Sequence, residues 1–157
     1  MARFMRKGRT KIFFVPTIVS LTAPTALEVN AGTALHGELA EINGFGFSNS
    51  PIDTPDMGKA LVTKIMGEDT LEDSSMGFYE TQTGTDTIKT ALAKGTAGYI
   101  VIFPRGIAGA TPAAADKSET WPVTVSSNSR KYSTGNEAAT FNVSFANTDA
   151  PVEGTLA

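Results

Sequence analysis

The chain has 157 residues, which fits one domain, and it carries 13 basic and 16 acidic side chains for a formal net charge of −3. It contains no cysteine, which excludes disulfides and thiolate metal sites. Its 15 glycines and 8 prolines, together with short runs of Val, Ile and Phe, favour strands and turns over long helices.

The chain begins with a basic arm at residues 1–11. The arm has no acidic side chain and five basic ones: Arg3, Arg6, Lys7, Arg9 and Lys11. The remaining residues hold eight basic side chains against all 16 acidic ones, so a basic arm precedes an acidic body. Because such asymmetry bears on partners, we predict that the arm of one copy contacts acidic loops of another.

The apolar run at 12–21 follows the arm in the order expected of a secretion signal. Pro16 and two polar residues interrupt this run, so we predict a first strand over 11–20 and no membrane span. Proline inside the run indicates an edge strand or a bulge. The predicted apolar face of this strand consists of Ile12, Phe14 and Ile18.

The middle of the chain is predicted to alternate short strands with long connections. In order, we predict a connector (22–34), a strand with a glycine bulge (37–47), a polar loop (48–58), an ambiguous segment favoured as a strand (59–66), an acidic loop (67–75) and a strand (76–81). Residues 48–75 are therefore interpreted as a long loop region.

One helix is predicted, from about Thr87 to Lys94. Asp86 is the candidate N-cap, Ile88 and Leu92 belong to the apolar stripe, and Gly95 suits the left-handed position after the last turn. A helix of two turns is unstable alone, so it should pack on a sheet.

The last third of the chain predicts three more strands. A continuous apolar run at 98–103 indicates a strand buried on both faces, and a loop rich in Gly, Ala and Pro follows at 104–119. Alternation predicts strands at 121–126 and 141–146, separated by a polar turn region, with a short polar tail at 147–157. One short helix among about seven strands indicates a mainly β chain, a β-sandwich or barrel.

No motif for catalysis or for a cofactor emerges. His36 is the only histidine, too few for a typical zinc site or for a choice of general bases. The acidic group Glu68, Asp69, Glu72 and Asp73 matches no EF-hand spacing and is interpreted as solvated. We therefore predict that the chain is not an enzyme and has no catalytic, metal or cofactor residues.

Several segments together resemble the major tail protein, or tail tube protein, of bacteriophages with long non-contractile tails. The resemblance covers roughly residues 25–148, and its strength lies in the order and spacing of the segments. The segments are Leu27 to Thr33, Glu41 to Phe45, Ile52 to Gly58, Asp73 to Ser75, Thr96 to Val101, Trp121 to Val123, Tyr132 to Ala139 and Val143 to Phe145.

The resemblance implies a single tail tube domain over 1–157, a β-sandwich with a flanking helix. It implies six copies in a ring, rings stacked into a tube around a tape-measure protein, terminator and tip proteins at the ends, and DNA passing through. It also implies a component of the virion tail that is made in the host cytoplasm. In that setting the five arm cations, Asp53 and Asp56 are predicted to act in assembly. The four acids at 68–73 are predicted to face the lumen or the ring-to-ring contact.

A second class of function remains open from the sequence alone. A β-sandwich module that binds carbohydrate or another surface would expose aromatic side chains on a flat face. Trp121 and Tyr79 are the candidates, although both lie in apolar strand patterns that also suit a core.

Overall fold

The computed structural model describes residues 1–157 and is mainly β, with ten strands and two short helices. The helices are Ala26–Asn30 (α1) and Thr87–Ala91 (α2). The strands are Lys11–Val15 (β1), Thr33–Ala34 (β2), Leu39–Asn43 (β3), Phe47–Thr54 (β4), Thr63–Leu71 (β5), Ser74–Tyr79 (β6), Ala97–Phe103 (β7), Lys117–Lys131 (β8), Thr140–Asn147 (β9) and Val152–Thr155 (β10). Neither helix is long enough to cross a membrane.

Eight of the strands form one antiparallel sheet. Seven of them follow the order β2-β1-β7-β8-β9-β6-β3, and the eighth, β10, pairs with β8 outside this order. The 15-residue β8 is its centre: β7 pairs along one side, while β10 and then β9 pair along the other. Strands β4 and β5 pair only with each other, as a separate two-stranded hairpin.

Two hydrophobic cores form because successive strand residues point to opposite faces. In β1, Ile12 and Phe14 join a core of 14 buried residues, whereas Phe13 and Val15 join a core of seven. The first core includes residues from β1, β7, β8, β9 and β6, and α2 contributes Ile88 to it. The second core lies on the opposite face and is covered by α1 and the C-terminal segment. This arrangement confirms the mainly β fold with a short flanking helix.

The prediction that Pro16 makes β1 an edge strand or marks a bulge in it is wrong. The strand ends at Val15, one residue before Pro16, and it pairs with β7 on one side and with the short β2 on the other. Ile18 lies beyond the strand and packs in the second core, not on the face shared by Ile12 and Phe14. Proline has no N–H for the ladder, so it terminates the strand instead of marking an edge.

The prediction of a long loop region at 48–75 is also wrong. Apart from the turn at 55–62 and the two residues at 72–73, its residues belong to β4, β5 and the start of β6. Polar β-branched and charged residues are compatible with a strand exposed on both faces, and the sequence pattern concealed this because no apolar alternation marks such a strand.

The remaining differences lengthen the predicted strands. Strand β8 runs on through the predicted turn region to Lys131, and the tail contains β10.

The Gly/Ala/Pro loop ends at Asp116, whose carboxylate accepts hydrogen bonds from the N–H groups of Ala108 (3.3 Å) and Ala113 (3.0 Å). The backbone of the same residue joins the loop to the C-terminus, since the N–H of Leu156 donates to the main-chain carbonyl of Asp116 (2.9 Å).

The predicted helix is confirmed but ends at Ala91, earlier than expected. Asp86 occupies the N-cap position without a side-chain cap bond. The last turn is instead held from β8, where Asn128 Nδ2 donates to the carbonyls of Lys89 (3.1 Å) and Leu92 (2.7 Å). This cap comes from a residue distant in sequence, which local pattern could not indicate.

Helix α1 was not predicted, although its signature is present in the sequence. Thr25 and Glu28 form a capping box: the N–H of Glu28 donates to Thr25 Oγ1 (3.2 Å), and the N–H of Thr25 donates to Glu28 Oε2 (2.9 Å). The N–H of Val19 also donates to Glu28 Oε1 (3.1 Å). The backbone N–H of Thr25, and then that of Val19, lower the pKa of Glu28.

Because of the capping box, the free energy of unfolding should depend on pH in the acidic range. Because the folded pKa of Glu28 is depressed, its contribution is present above the unfolded pKa of about 4.3 and is lost as pH falls through the folded value. We expect Glu28→Gln to lower the urea midpoint at pH 6 and to flatten its decline below pH 4, relative to the unchanged chain. The exposed Glu68→Gln is the control, and parallel pH curves for Glu28→Gln and the unchanged chain would contradict this role.

Candidate assembly interface

The hairpin β4–β5 continues the edge of the main sheet into solvent. Strand β3 leads into β4 and β5 leads into β6, so residues 39–54 and 63–79 form one long pair of strands with a bend between its two halves. The inner half belongs to the sheet, and the outer half has no other strand on either side. The hairpin therefore leaves backbone N–H and C=O groups unpaired along both of its edges.

The bend lies at Gly44 and Phe45, which both have positive φ (77° and 59°). A Cβ at Gly44 would overlap the carbonyl oxygen of Asp73 and lie 2.8 Å from Ser74 Cα, so the two strands approach too closely there for any side chain. Phe45 packs edge-to-face on Trp121, with ring centroids 5.6 Å apart, and its N–H donates to Ser74 Oγ (3.0 Å). These contacts fix the direction in which the hairpin leaves the sheet.

The hairpin exposes large apolar side chains at unusual density. Met66 is 80% exposed and Leu61 is 74% exposed, and neither has a partner in the chain's two cores. The full set on the hairpin and its turn is Phe47, Ile52, Met57, Leu61, Val62, Ile65 and Met66. A cluster of this kind on a protein surface marks an interaction site.

All of the predicted assembly and lumen acids lie on the hairpin or at its base. Asp53 pairs with Lys64 across the strands (2.6 Å), and Asp56 accepts the N–H of Gly58 (2.8 Å) in the turn. Glu68 and Asp69 lie in β5, where Asp69 accepts from Asn49 Nδ2 (2.6 Å). Glu72 and Asp73 occupy the bend opposite Gly44 and Gly46. The structure therefore brings the predicted acids together on one projecting element.

The predicted arm cations lie apart from this element. Arg6 Nη1 and Thr10 Oγ1 both donate to the carbonyl of Pro104 (3.2 Å each), and the guanidinium groups of Arg6 and Arg9 stand over the ring of Phe4. Lys11 is the first residue of β1. Arg3 and Lys7 are exposed, and the two ion pairs of the chain, Lys64–Asp53 and Arg130–Glu80, involve no arm cation.

A second surface, which the sequence did not reveal, is the outer face of β3, β6, β9 and the end of β8. Its side chains alternate with the core residues of the same strands and are mostly small and polar. One row across the four strands is Asn43, Ser75, Ser144 and Ser127; the next is Glu41, Gly77, Asn142 and Ser129; the third is Tyr79, Thr140 and Lys131. Only two of these eleven residues are charged, so the face is polar but nearly neutral. We call it the polar face.

The titratable side chains of the chain were compared with the requirements of a metal site. No group of three or more His, Asp or Glu side chains is placed to hold a metal ion. His36 packs edge-on against Phe13, with ring centroids 5.4 Å apart, and its Nδ1 lies 3.3 Å from the carbonyl oxygen of Ile12. His36 is therefore a half-buried side chain that packs against its neighbours.

Comparison with known families gives a match over the whole chain. A family model described as phage tail tube protein matches residues 1–157. The chain belongs to the phage tail tube protein family. Among curated proteins, nothing matches this family member. The family assignment confirms the resemblance found in the sequence.

Solved structures share the fold of this tail tube family member at low sequence identity. The sheath/tube terminator of PVC, an extracellular contractile injection system, aligns with a TM-score of 0.65 and 11% identity over 97% of both chains. The tube-terminating cap of the anti-feeding prophage aligns at 0.62 and 13% identity over 99% of this chain and 93% of the other. A chain of the PVC sheath–tube complex aligns at 0.60 and 12% identity over 94% and 88%. At these identities the likeness establishes the tail tube fold.

Proposed function

We propose that this chain self-assembles into hexameric rings that stack into a tail tube. The tube would enclose a tape-measure protein during assembly, meet terminator and tip proteins at its ends, and conduct DNA. In this proposal the protein is made in the host cytoplasm and resides in the virion tail.

The observation that carries the proposal is the projecting hairpin. A two-stranded hairpin is marginally stable in water, and this one also exposes seven large apolar side chains and both backbone edges. Pairing with a neighbouring copy would bury the apolar side chains and satisfy the edges. A heterologous contact repeated around an axis closes into a ring, and the two remaining faces then stack.

The solved relatives support this architecture. They belong to a sheath–tube complex, a tube-terminating cap and a six-fold symmetrised baseplate. A six-fold ring of this chain would suit the same kind of assembly. The relatives come from contractile systems, and the tail type of this chain, predicted as non-contractile from the sequence, stays a prediction.

The polar face suits the lumen of such a tube. Small neutral side chains form hydrogen bonds with DNA that water can replace. The face also has few cations, which would otherwise retain the DNA phosphates. The sequence instead indicated the acids Glu68, Asp69, Glu72 and Asp73 as lumen or stacking residues, which stays a prediction. Both arrangements avoid a basic lumen, and the acids on the hairpin remain candidates for the ring-to-ring contact.

The assembly role of the hairpin can be tested with Leu61→Ser combined with Met66→Ser. These side chains are exposed in the single chain, so the free energy of unfolding should change by less than about 0.5 kcal/mol each. Burial at an interface would stabilise assembly by about 1.5–3 kcal/mol per side chain, so tubes should be lost at concentrations where the unchanged chain forms them. Sedimentation and electron micrographs provide the measurement.

The matched control replaces two equally exposed apolar residues outside the hairpin, Val19 (90% exposed) and Leu27 (81% exposed), with serine. This control should assemble normally. Normal tubes from the hairpin variant, or equal losses from both variants, would refute the proposed role of the hairpin.

The carbohydrate-binding alternative loses one of its two candidates. Trp121 is 2% exposed and belongs to the first core, where it cannot stack on a sugar. Tyr79 is 47% exposed but stands alone among small residues of the polar face. These two candidates therefore form no aromatic platform that would favour the alternative.

A further inference from the structure

A groove beside the base of the hairpin has no occupant in the single chain. Its volume is about 430 Å³, and its walls are aromatic and acidic. The residues that matter are Phe45, Phe47, Glu119, Trp121, Pro151 and Glu153. Phe47 is 59% exposed, which is high for a phenylalanine next to a concave surface.

The two carboxylates of the groove stand directly opposite each other. Glu119 in β8 is the register partner of Glu153 in β10, and neither forms an ion pair. Like charges at opposite positions of adjacent strands destabilise the pair, and a cation between them would remove the repulsion. Glu119 also accepts a hydrogen bond from Trp121 Nε1 (2.5 Å), which holds its carboxylate at the aromatic wall. The groove is therefore suited to a cationic group on an apolar or aromatic segment.

The N-terminal arm has this chemistry and is itself without ionic partners. Residues 1–7 combine exposed Phe4 and Met5 with Arg3, Arg6 and Lys7, and no arm cation forms an ion pair. Arginine binds carboxylates through two parallel hydrogen bonds and also stacks on aromatic rings, so it fits both walls of the groove.

The chain's own arm lies in a different cavity. Phe4 and Arg6 line a neighbouring space together with Arg105 and Lys117, and that space meets the groove only at the Glu119–Glu153 pair. The carboxylates are the only charged residues lining the groove, whereas the cavity that holds the arm is lined by the same two carboxylates and also by Arg105 and Lys117, besides the arm's own Arg6. Charge therefore favours the groove as the destination of an arm from another copy.

We propose that the N-terminal arm of one copy docks in the Phe47–Trp121–Glu119–Glu153 groove of the next copy. The segment around Arg3 and Phe4 enters the groove: the guanidinium lies between the two carboxylates and the apolar side chains cover Phe47. The inference rests on the proposed self-assembly and names the surface that receives the arm.

The test uses two variants that are mixed, because the chain has no natural cysteine. One population carries only Arg3→Cys and the other only Glu153→Cys, so a disulfide between two different variants can form only between copies. We expect this heterodimer to appear in assembled tubes after mild oxidation. A mixture of Arg3→Cys with Glu137→Cys, an exposed acid in the β8–β9 connection, is the control and should give no such product.

Charge reversal gives an independent readout. Glu153→Arg should raise the concentration needed for tube assembly about tenfold, because a charge-assisted contact is replaced by repulsion. Adding Arg3→Glu to the same chain should restore assembly toward the original concentration. Circular dichroism of the variants checks that the subunit remains folded.

The outcomes separate this inference from the proposed function. Tubes that form without the Arg3–Glu153 heterodimer overturn the docking and leave the tube standing. A third variant that carries both Arg3→Cys and Glu153→Cys checks the arm's position within one chain: a disulfide that forms only inside this chain, and never between the two single variants, also overturns the docking, since the arm then occupies its own groove. Absence of tubes from the unchanged chain contradicts the proposed function itself.

Discussion

Gly44→Ala should lower the free energy of unfolding by at least about 2 kcal/mol and abolish tube formation, because alanine at φ +77° is strained and its Cβ would overlap the backbone of Asp73 and Ser74. Both clashing groups are main-chain atoms of the paired strand, so no side-chain rotation can relieve the contact. The chain can accommodate the methyl group only if the two strands separate at the bend. The hairpin would then leave the sheet in another direction and miss its neighbour.

Substitutions at two other glycines distinguish the cost of backbone strain from the cost of the steric overlap at Gly44. Gly84 has φ +84° with nothing within 4 Å of its Cβ position, so Gly84→Ala should show the backbone strain alone, about 1 kcal/mol. Gly37 has neither positive φ nor a close neighbour, so Gly37→Ala should be nearly neutral. Urea unfolding of the three variants gives the comparison. Equal losses for Gly44→Ala and Gly84→Ala would show that close approach at the bend is unimportant.

Assembly must also be distinguished from simple loss of stability. Leu92 is fully buried in the first core beside α2, and Leu92→Ala should cost about 2–5 kcal/mol without altering the bend. At a temperature where both variants remain folded, Leu92→Ala should form tubes and Gly44→Ala should not. Tubes from Gly44→Ala under those conditions would contradict a directing role for the bend.

The second large effect is expected from lysines on the polar face. Ser75 and Ser127 lie in the same row, separated by Ser144 of β9, so their lysine replacements would stand roughly 10 Å apart across the sheet. Six copies per ring would place twelve cations around the lumen. Purified tubes carrying Ser75→Lys and Ser127→Lys should retain short duplex DNA in a nuclease-resistant form, whereas unchanged tubes should not.

The amount of retained DNA should fall steeply as the salt concentration rises. Each phosphate contact contributes about −0.9 to the slope of log binding constant against log salt concentration. Thr81→Lys with Thr83→Lys adds the same charge in the exposed connection before α2 and is the control. A parallel set reverses Glu68, Asp69, Glu72 and Asp73 to lysine. If only this set retains DNA, the hairpin acids face the lumen and the assignment of the polar face is wrong.

The sequence was sufficient where local pattern and burial coincide. The run Ile100 to Phe103 indicated a strand buried on both faces, and it is β7, with Ile100, Val101 and Phe103 in the two cores. Asp86 and Ile88 located the start of α2, whereas Gly95, predicted directly after the last turn, lies three residues beyond the C-cap Leu92. The order of short motifs indicated the family, which the match over 1–157 confirms. The capping box of Thr25 and Glu28 carried the same kind of signal for α1 and was overlooked.

Pairing between residues distant in sequence decided the features that the sequence did not predict, namely the hairpin, the polar face and the groove. Residues 48–71 became a hairpin because β4 and β5 pair with each other, and exposure on both faces removed the periodicity that would have indicated a strand. The polar face exists because the register places Ser75, Ser144 and Ser127 side by side, and the groove exists because β10 sets Glu153 against Glu119. The sequence by itself determined which segments are apolar, where they turn and to which family they belong, since those properties are local. Only the tertiary structure decided which surfaces face outward together, because strand register joins residues that the chain keeps far apart.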